Sequence, residues 1–456
     1  MDATQKDLET NAERALIGSI VAPLRAAIQG VATVEERGRV TEVLGTLVRA
    51  VGIQARVGEL CELRMPEGRT LSAEVIGFRG ATAILTPFGD ISGLSNRSEV
   101  IALRRGYRVS TGSSLLGRVL DGFGNPIDGK GALNAEWRDA IDVDPPSALT
   151  RKPVTQICET RVRAIDSLLS VGCGQRMGLF APVGVGKTTL IGMLARGAMA
   201  DVNVIALVGE RGREVGEFIT HILGPEGLQR SVVVFATSDR PAIERVKCAQ
   251  VATTIAERFR REGRHVLLLM DSITRYARAL REIGLASGEA PTRRGFPPSV
   301  FAALPRLLER AGNDAYGAIT AFYTILVEGE EDSDPIAEEV RSLLDGHLNL
   351  SRAQAQASHF PAIDVLASLS RVMPAIVSPA QNRAAAQIRA WLAKHRDIEL
   401  LVQMGEYRQG ADEDADEAMA HMPALRQFLQ QAPDEFLSFE SSRAAMMSLM
   451  GGANAS

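Results

Sequence analysis

Apolar positions along the chain change period several times, and each change predicts a different kind of element. Leu8, Ala12, Leu16, Ile20 and Leu24 recur every fourth residue, the spacing of one helical face, until Pro23 interrupts the pattern. Such a face can lie on a membrane surface, bind a partner, or pack on its own domain. From Gly38 to Leu103 short β-rich runs such as LSAEVIGF and ATAILTPFGD alternate with turn residues, which predicts a small antiparallel barrel or sandwich. The stretch LDGFGNPIDGKG, Leu120 to Gly131, and the proline-rich segment after it read as turn and connection near a domain seam.

After Gly174 the texture changes again. The apolar runs RMGLFA, VNVIALVG, SVVVFAT and HVLLLMD alternate with helical patterns, as in a parallel sheet covered on both faces. Beyond about Ala380 the chain becomes rich in Ala, Gln and Leu, a helical texture. The acidic run ADEDADEA, Ala411 to Ala418, reads there as a solvated face or helix start, or else as a partner contact. The expected organisation is a helical segment at 1–30, a β-barrel at 31–105, an α/β nucleotide-binding core at 106–380 and a helical domain at 381–456.

Composition narrows the classes. With 456 residues, 45% of them hydrophobic, the chain can bury two or three cores. Its 55 acidic against 51 basic residues leave a net charge of −4, which offers no global field for nucleic acid. Cys61, Cys158, Cys173 and Cys248 are scattered without C-x-x-C pairing and read as reduced packing residues. The six histidines show no metal-binding spacing. The opening MDATQKDLET lacks the basic and then apolar order of a secretory signal, and the stretch Ala15 to Leu24 is about half of a membrane span. A soluble, cytoplasmic protein is expected.

Chemistry concentrates in three places. Ala181, Pro182, Val183, Gly184, Val185, Gly186, Lys187, Thr188 and Thr189 spell a phosphate-binding loop between a strand and a helix, with Ala181 where the G-x-x-x-x-G-K-[S/T] pattern has its first glycine. Its glycines let backbone N–H groups curl around phosphate oxygens, and the helix turns its positive end toward them. Lys187 supplies charge for the β- and γ-phosphates, and Thr188 offers a hydroxyl to magnesium. HVLLLMD ends in Asp271, placed to hold a magnesium shell. VNVIALVGERGREVGEF delivers Glu210, Arg211, Arg213 and Glu214 to the same sheet edge. Glu210 is the candidate general base there, against the alternative of a surface ion-pair cluster.

Together with the segments DSITRYARA (Asp271 to Ala279), GFPPSVFAALPRLLERAG (Gly295 to Gly312) and HFPAIDVLASLSRVM (His359 to Met373), these motifs resemble the rotary ATP synthase catalytic subunits. Within that family the chain is similar to the type III secretion ATPases, the injectisome branch more than the flagellar one. The resemblance implies a RecA-like core between barrel and helical domain. It gives Glu210 the role of catalytic glutamate with Arg211 beside it, and Glu214 and Asp271 a place in the magnesium shell. Phe360 takes the place of the aromatic that stacks on adenine, and Arg371 that of an arginine finger serving the neighbouring subunit. It further implies Mg-ATP hydrolysis by a homohexamer at the cytoplasmic face of the bacterial inner membrane, in peripheral association with it. The implied partners are a central stalk, a peripheral regulator and chaperone–substrate complexes. A proton-driven synthase subunit and a hexameric RNA translocase are the competing readings. The first lacks here its D-E-L-S-E-E-D-like segment, and the second lacks aromatics, since only Phe78 and Phe88 lie between Gly38 and Leu103.

Overall fold

The computed structural model describes residues 36–327 and 334–451. The helical segment expected at 1–30 lies outside them. The chain divides between Arg105 and Gly106 into two compact units.

In the first unit six strands close into a barrel: β1 (Arg37–Leu44), β2 (Leu47–Val51), β3 (Glu59–Arg64), β4 (Thr70–Arg79), β5 (Thr82–Pro87) and β6 (Glu99–Gly106), in the order β1-β2-β5-β4-β3-β6. Closure leaves no unpaired edge. Inward positions alternate with outward ones, so Val40, Val48, Leu63, Val75, Leu85 and Val100 fill the interior. The barrel expected from the period-two runs is present.

The second unit begins with β7 (Arg108–Thr111), β8 (Val119–Asp121) and β9 (Trp137–Ala140). Strands β7 and β9 pair, and Asp139 on β9 accepts from Arg258 at 2.6 and 2.8 Å, which ties the pair to the helix Ala242–Arg261. The main sheet adds β10 (Arg176–Ala181), β11 (Val202–Glu210), β12 (Ser231–Thr237), β13 (His265–Asp271), β14 (Gly312–Asn313), β15 (Ala318–Leu326), β16 (Gly346–Leu350) and β17 (Ile363–Ser370). Its order is β17-β16-β10-β15-β13-β11-β12-β8, with β14 appended to β15. All neighbours from β16 to β8 run parallel, whereas β17 runs antiparallel to β16.

Every residue of β11 is buried, and its side chains alternate between two cores. Val204, Ala206 and Val208 pack with the helices Ala242–Arg261 and Ile273–Ser287; Ile205 and Leu207 face the core of the helix Lys187–Gly197 and the C-terminal helices. Each fully buried Val or Leu contributes about 1.5–3 kcal/mol. This explains the unbroken apolar runs, since a strand covered on both faces has no polar phase.

The C-terminal part is helical as expected: Pro379–Gln403, Glu413–Leu429 and Phe439–Gly451. The acidic run is a helix start, with the Asp412 carboxylate accepting from the Ala415 N–H at 3.1 Å. The segment EVGEFITHIL is helical with an irregularity: Gly212–Glu217 is followed by a π-helical stretch, Phe218–Leu223. Among the described residues no helix is long and apolar enough to cross a membrane.

Candidate active site

Parallel neighbours deliver their C-terminal ends to one edge, and four of them build the site. β10 ends at Ala181, level with Leu326 of β15; Asp271 closes β13 beside Leu207 of β11, and Glu210 closes β11. The loop between Ala181 and Lys187 turns on Gly184 (φ 83°) and Gly186 (φ 87°), two left-handed positions that a side chain would strain. Ala181 is a buried strand residue outside that region of backbone space, so an alanine meets the local requirement where the pattern has glycine. Lys187 opens the helix Lys187–Gly197, and the Leu190 N–H closes its first turn on the Gly186 carbonyl. Thr188 is partly buried in that first turn, next to the exposed Thr189.

The Lys187 ammonium donates to Asp271 and lies 3.7 Å from Glu210. Asp271 also accepts from the Thr324 hydroxyl at 2.7 Å, and Arg275 donates to Glu210 at 3.2 Å. Both carboxylates are buried. Burial pushes Glu210 up from 4.5 to about 7, and the neighbouring Asp271 charge adds to the push; Lys187 and Arg275 pull against it. A carboxyl held near neutrality can take a proton from water and release it again.

Arg211 and Glu214 stand at the solvent side of this cluster. They pair at 3.6 Å, while Arg213 pairs with Glu217 at 2.8 Å. The ion-pair description therefore fits the arginines of GERGREV. It does not fit Glu210, which is buried in the cluster.

Phe360, remote in sequence, comes to the loop: a Cβ built on Gly186 would meet its ring at 3.3 Å. The ring is 42% exposed and borders a cavity of about 610 Å³ lined also by Arg163, Gln430, Gln431 and Pro433. A flat aromatic wall beside a phosphate loop suits a purine base.

Arg371 does not join this site. It follows β17, whose antiparallel course carries Ser370 level with Gly346 and Met177, at the start of β10. The loop begins beyond Ala181, four residues or about 13 Å further along that strand. Its side chain is exposed, and its backbone N–H donates to the Asp345 carbonyl.

Arg275 and Thr324 were not assigned by the motifs. Arg275 sits one helical turn past Asp271 within DSITRYARA, so the i+4 spacing was a usable signal. Thr324 lies in an apolar run on a strand whose order in the sheet the sequence does not state.

Strand ends, glycine loop and buried Lys–carboxylate cluster define a P-loop nucleoside triphosphatase. The model of the ATP synthase alpha/beta family nucleotide-binding domain matches residues 161–370; its beta-barrel domain matches 40–104, and the T3SS EscN ATPase C-terminal domain matches 377–448. A type 3 secretion system ATPase of Xanthomonas euvesicatoria is 57% identical over 89% of this chain and 92% of its own. A flagellum-specific ATP synthase of Treponema pallidum is 48% identical over 91% and 93%. The assembled ATPase EscN of enteropathogenic E. coli superposes with a TM-score of 0.86 at 44% identity, covering 90% of this chain and 99% of EscN; EscN is also known in complex with its central stalk EscO, at a TM-score of 0.83. The chain belongs to the type III secretion system ATPases of the ATP synthase alpha/beta family. Its nucleotide-binding core is that of an ATPase, with a nucleotide as substrate.

Proposed function

We propose that this chain forms a homohexameric ring that hydrolyses Mg-ATP at its subunit interfaces and so drives chaperone release and unfolding of export substrates. The observation that carries the reading is the placement of Phe360 and Arg371 at opposite ends of β17. One copy holds a phosphate loop, a base and an aromatic wall at one sheet edge, and an exposed arginine at the other. A ring in which each copy lends its arginine to the next completes every site with one chain type.

Within a site, the loop 181–189 and Lys187 hold the phosphates, and Phe360 stacks on the adenine. Glu210 accepts a proton from the attacking water and aligns it, Arg211 and Glu214 frame the cluster, and the neighbour's Arg371 neutralises charge developing on the γ-phosphate. The oxygen donors Thr188, Asp271 and Glu214 fit a hard cation such as Mg²⁺, with Asp271 carrying one formal charge against Lys187. Bound there, it would supply charge neutralisation at the β- and γ-phosphates.

The assembled state of EscN and its complex with EscO support a ring and a central-stalk partner for this chain as well. Its place in the assembly is the cytoplasmic face of the inner membrane, with peripheral regulator and chaperone–substrate complexes as further partners. ATPase activity measured over a range of protein concentrations tests the ring. Specific activity should rise steeply with concentration; activity independent of dilution would show that one copy suffices.

A further inference from the structure

The edge of the sheet opposite the nucleotide site holds a second cluster of reactive side chains. Cys158, Cys173 and His265 come from three separate segments, and their ligand atoms all lie within 4.8 Å of one another. The backbone brings them together: Ile157 bridges to Gly172, the Cys158 N–H donates to the Val171 carbonyl, and the Cys173 N–H donates to Gln156. His265 opens β13, two strands from β10. Between those strands, on β15, stands Thr320.

Thr320 wires the cluster. Its hydroxyl oxygen accepts from the Gly174 N–H at 2.8 Å and lies 2.8 Å from His265 Nε2. Held through Nε2 by Thr320, the imidazole turns its other nitrogen toward the cysteines. Nδ1 is the nitrogen that faces Cys173, at 3.9 Å from Sγ. Orienting an imidazole through its second nitrogen is the usual support for a metal-binding histidine.

We propose that Cys158, Cys173 and His265 form a binding site for one borderline-soft divalent cation, with Zn²⁺ as the best match. Two sulfurs and one imidazole nitrogen suit this ion. Tetrahedral zinc bonded to sulfur and nitrogen at its ordinary lengths sets ligand edges of about 3.6–3.8 Å. The observed 3.9 Å between Cys173 and His265 is close to that edge, and contraction from the 4.8 Å bound is within side-chain movement. A cavity of about 540 Å³, lined by Gln156, Cys173, His265, Asn313, Asp314 and Tyr316, opens on the exposed side of the cluster. It supplies an entry path and leaves a fourth coordination position to water. Bound metal would pin the turn before β10 to the start of β13, far from the phosphate loop.

The test is a Co²⁺ titration of the full chain, reduced and stripped of metal. One equivalent should give thiolate-to-cobalt charge transfer and intense tetrahedral bands, which Zn²⁺ then displaces. Co²⁺ at the oxygen-rich nucleotide site gives neither signal, so the two sites are told apart. Cys173→Ser and His265→Gln should each abolish the bands while keeping ATPase activity in metal-free protein later supplied with Mg²⁺. Thr320→Val should weaken affinity about 10–100-fold. Absence of the bands, or their survival in Cys173→Ser, would overturn the proposal.

Discussion

At one edge of the central sheet Lys187, Glu210 and Asp271 are buried against one another, while at the other edge Arg371 stands exposed, its side chain without a hydrogen bond or ion pair among the described residues. The buried cluster is self-sufficient. Its charges are compensated within one chain, and burial raises the proton affinity of Glu210 against the pull of Lys187 and Arg275. The exposed arginine has no such partner among the described residues.

That contrast predicts different failures at the two edges. Arg371→Ala should lower kcat by about 10³-fold or more, as removal of arginine fingers does, with ATP affinity measured by fluorescent-nucleotide binding nearly unchanged. Glu210→Gln should lower kcat by about 10²–10⁴-fold, also with nucleotide retained. Equal loss of affinity in either variant would move that residue from turnover to binding. Phe360→Ala should act the other way round, weakening nucleotide affinity by about 1 kcal/mol, roughly fivefold, with a smaller effect on kcat.

Acidity sharpens the picture with a smaller effect. Glu210 must be ionised to serve as a base, and its carboxyl titrates at about 7, so kcat should climb as pH rises through neutrality. The stability sign is opposite. Because the folded value lies above the unfolded 4.5, the stabilisation from the protonated carboxyl is complete below that value and is lost as pH rises through about 7. Glu210→Gln should therefore raise the Tm, by about 1–3 °C, more at pH 8 than at pH 6. A Tm difference that shrinks with rising pH would show that Glu210 is not held protonated by burial.

Much of the first edge was legible in the sequence because its chemistry is contiguous. The loop 181–189 is one segment, and Glu210 and Asp271 each end an unbroken apolar run. Parallel strands then force those ends together. Phe360 and Arg371 carried no signal in residue type or period; only family resemblance marked them, and only β17 running antiparallel explains why they lie at different edges. Thr324 stayed hidden because strand order is a long-range property. Cys158, Cys173 and His265 were read as packing and incidental residues for the same reason: their spacing matches no metal-binding pattern, and the sheet alone brings them together.

The most direct test of the shared site mixes two inactive variants. Arg371→Ala keeps Glu210, and Glu210→Gln keeps Arg371. Co-assembled in equal amounts, random rings should contain the intact pair at roughly one interface in four and recover ATPase activity in that proportion. A mixture that co-assembles and yet stays at the sum of the two separate activities would contradict a site built between copies.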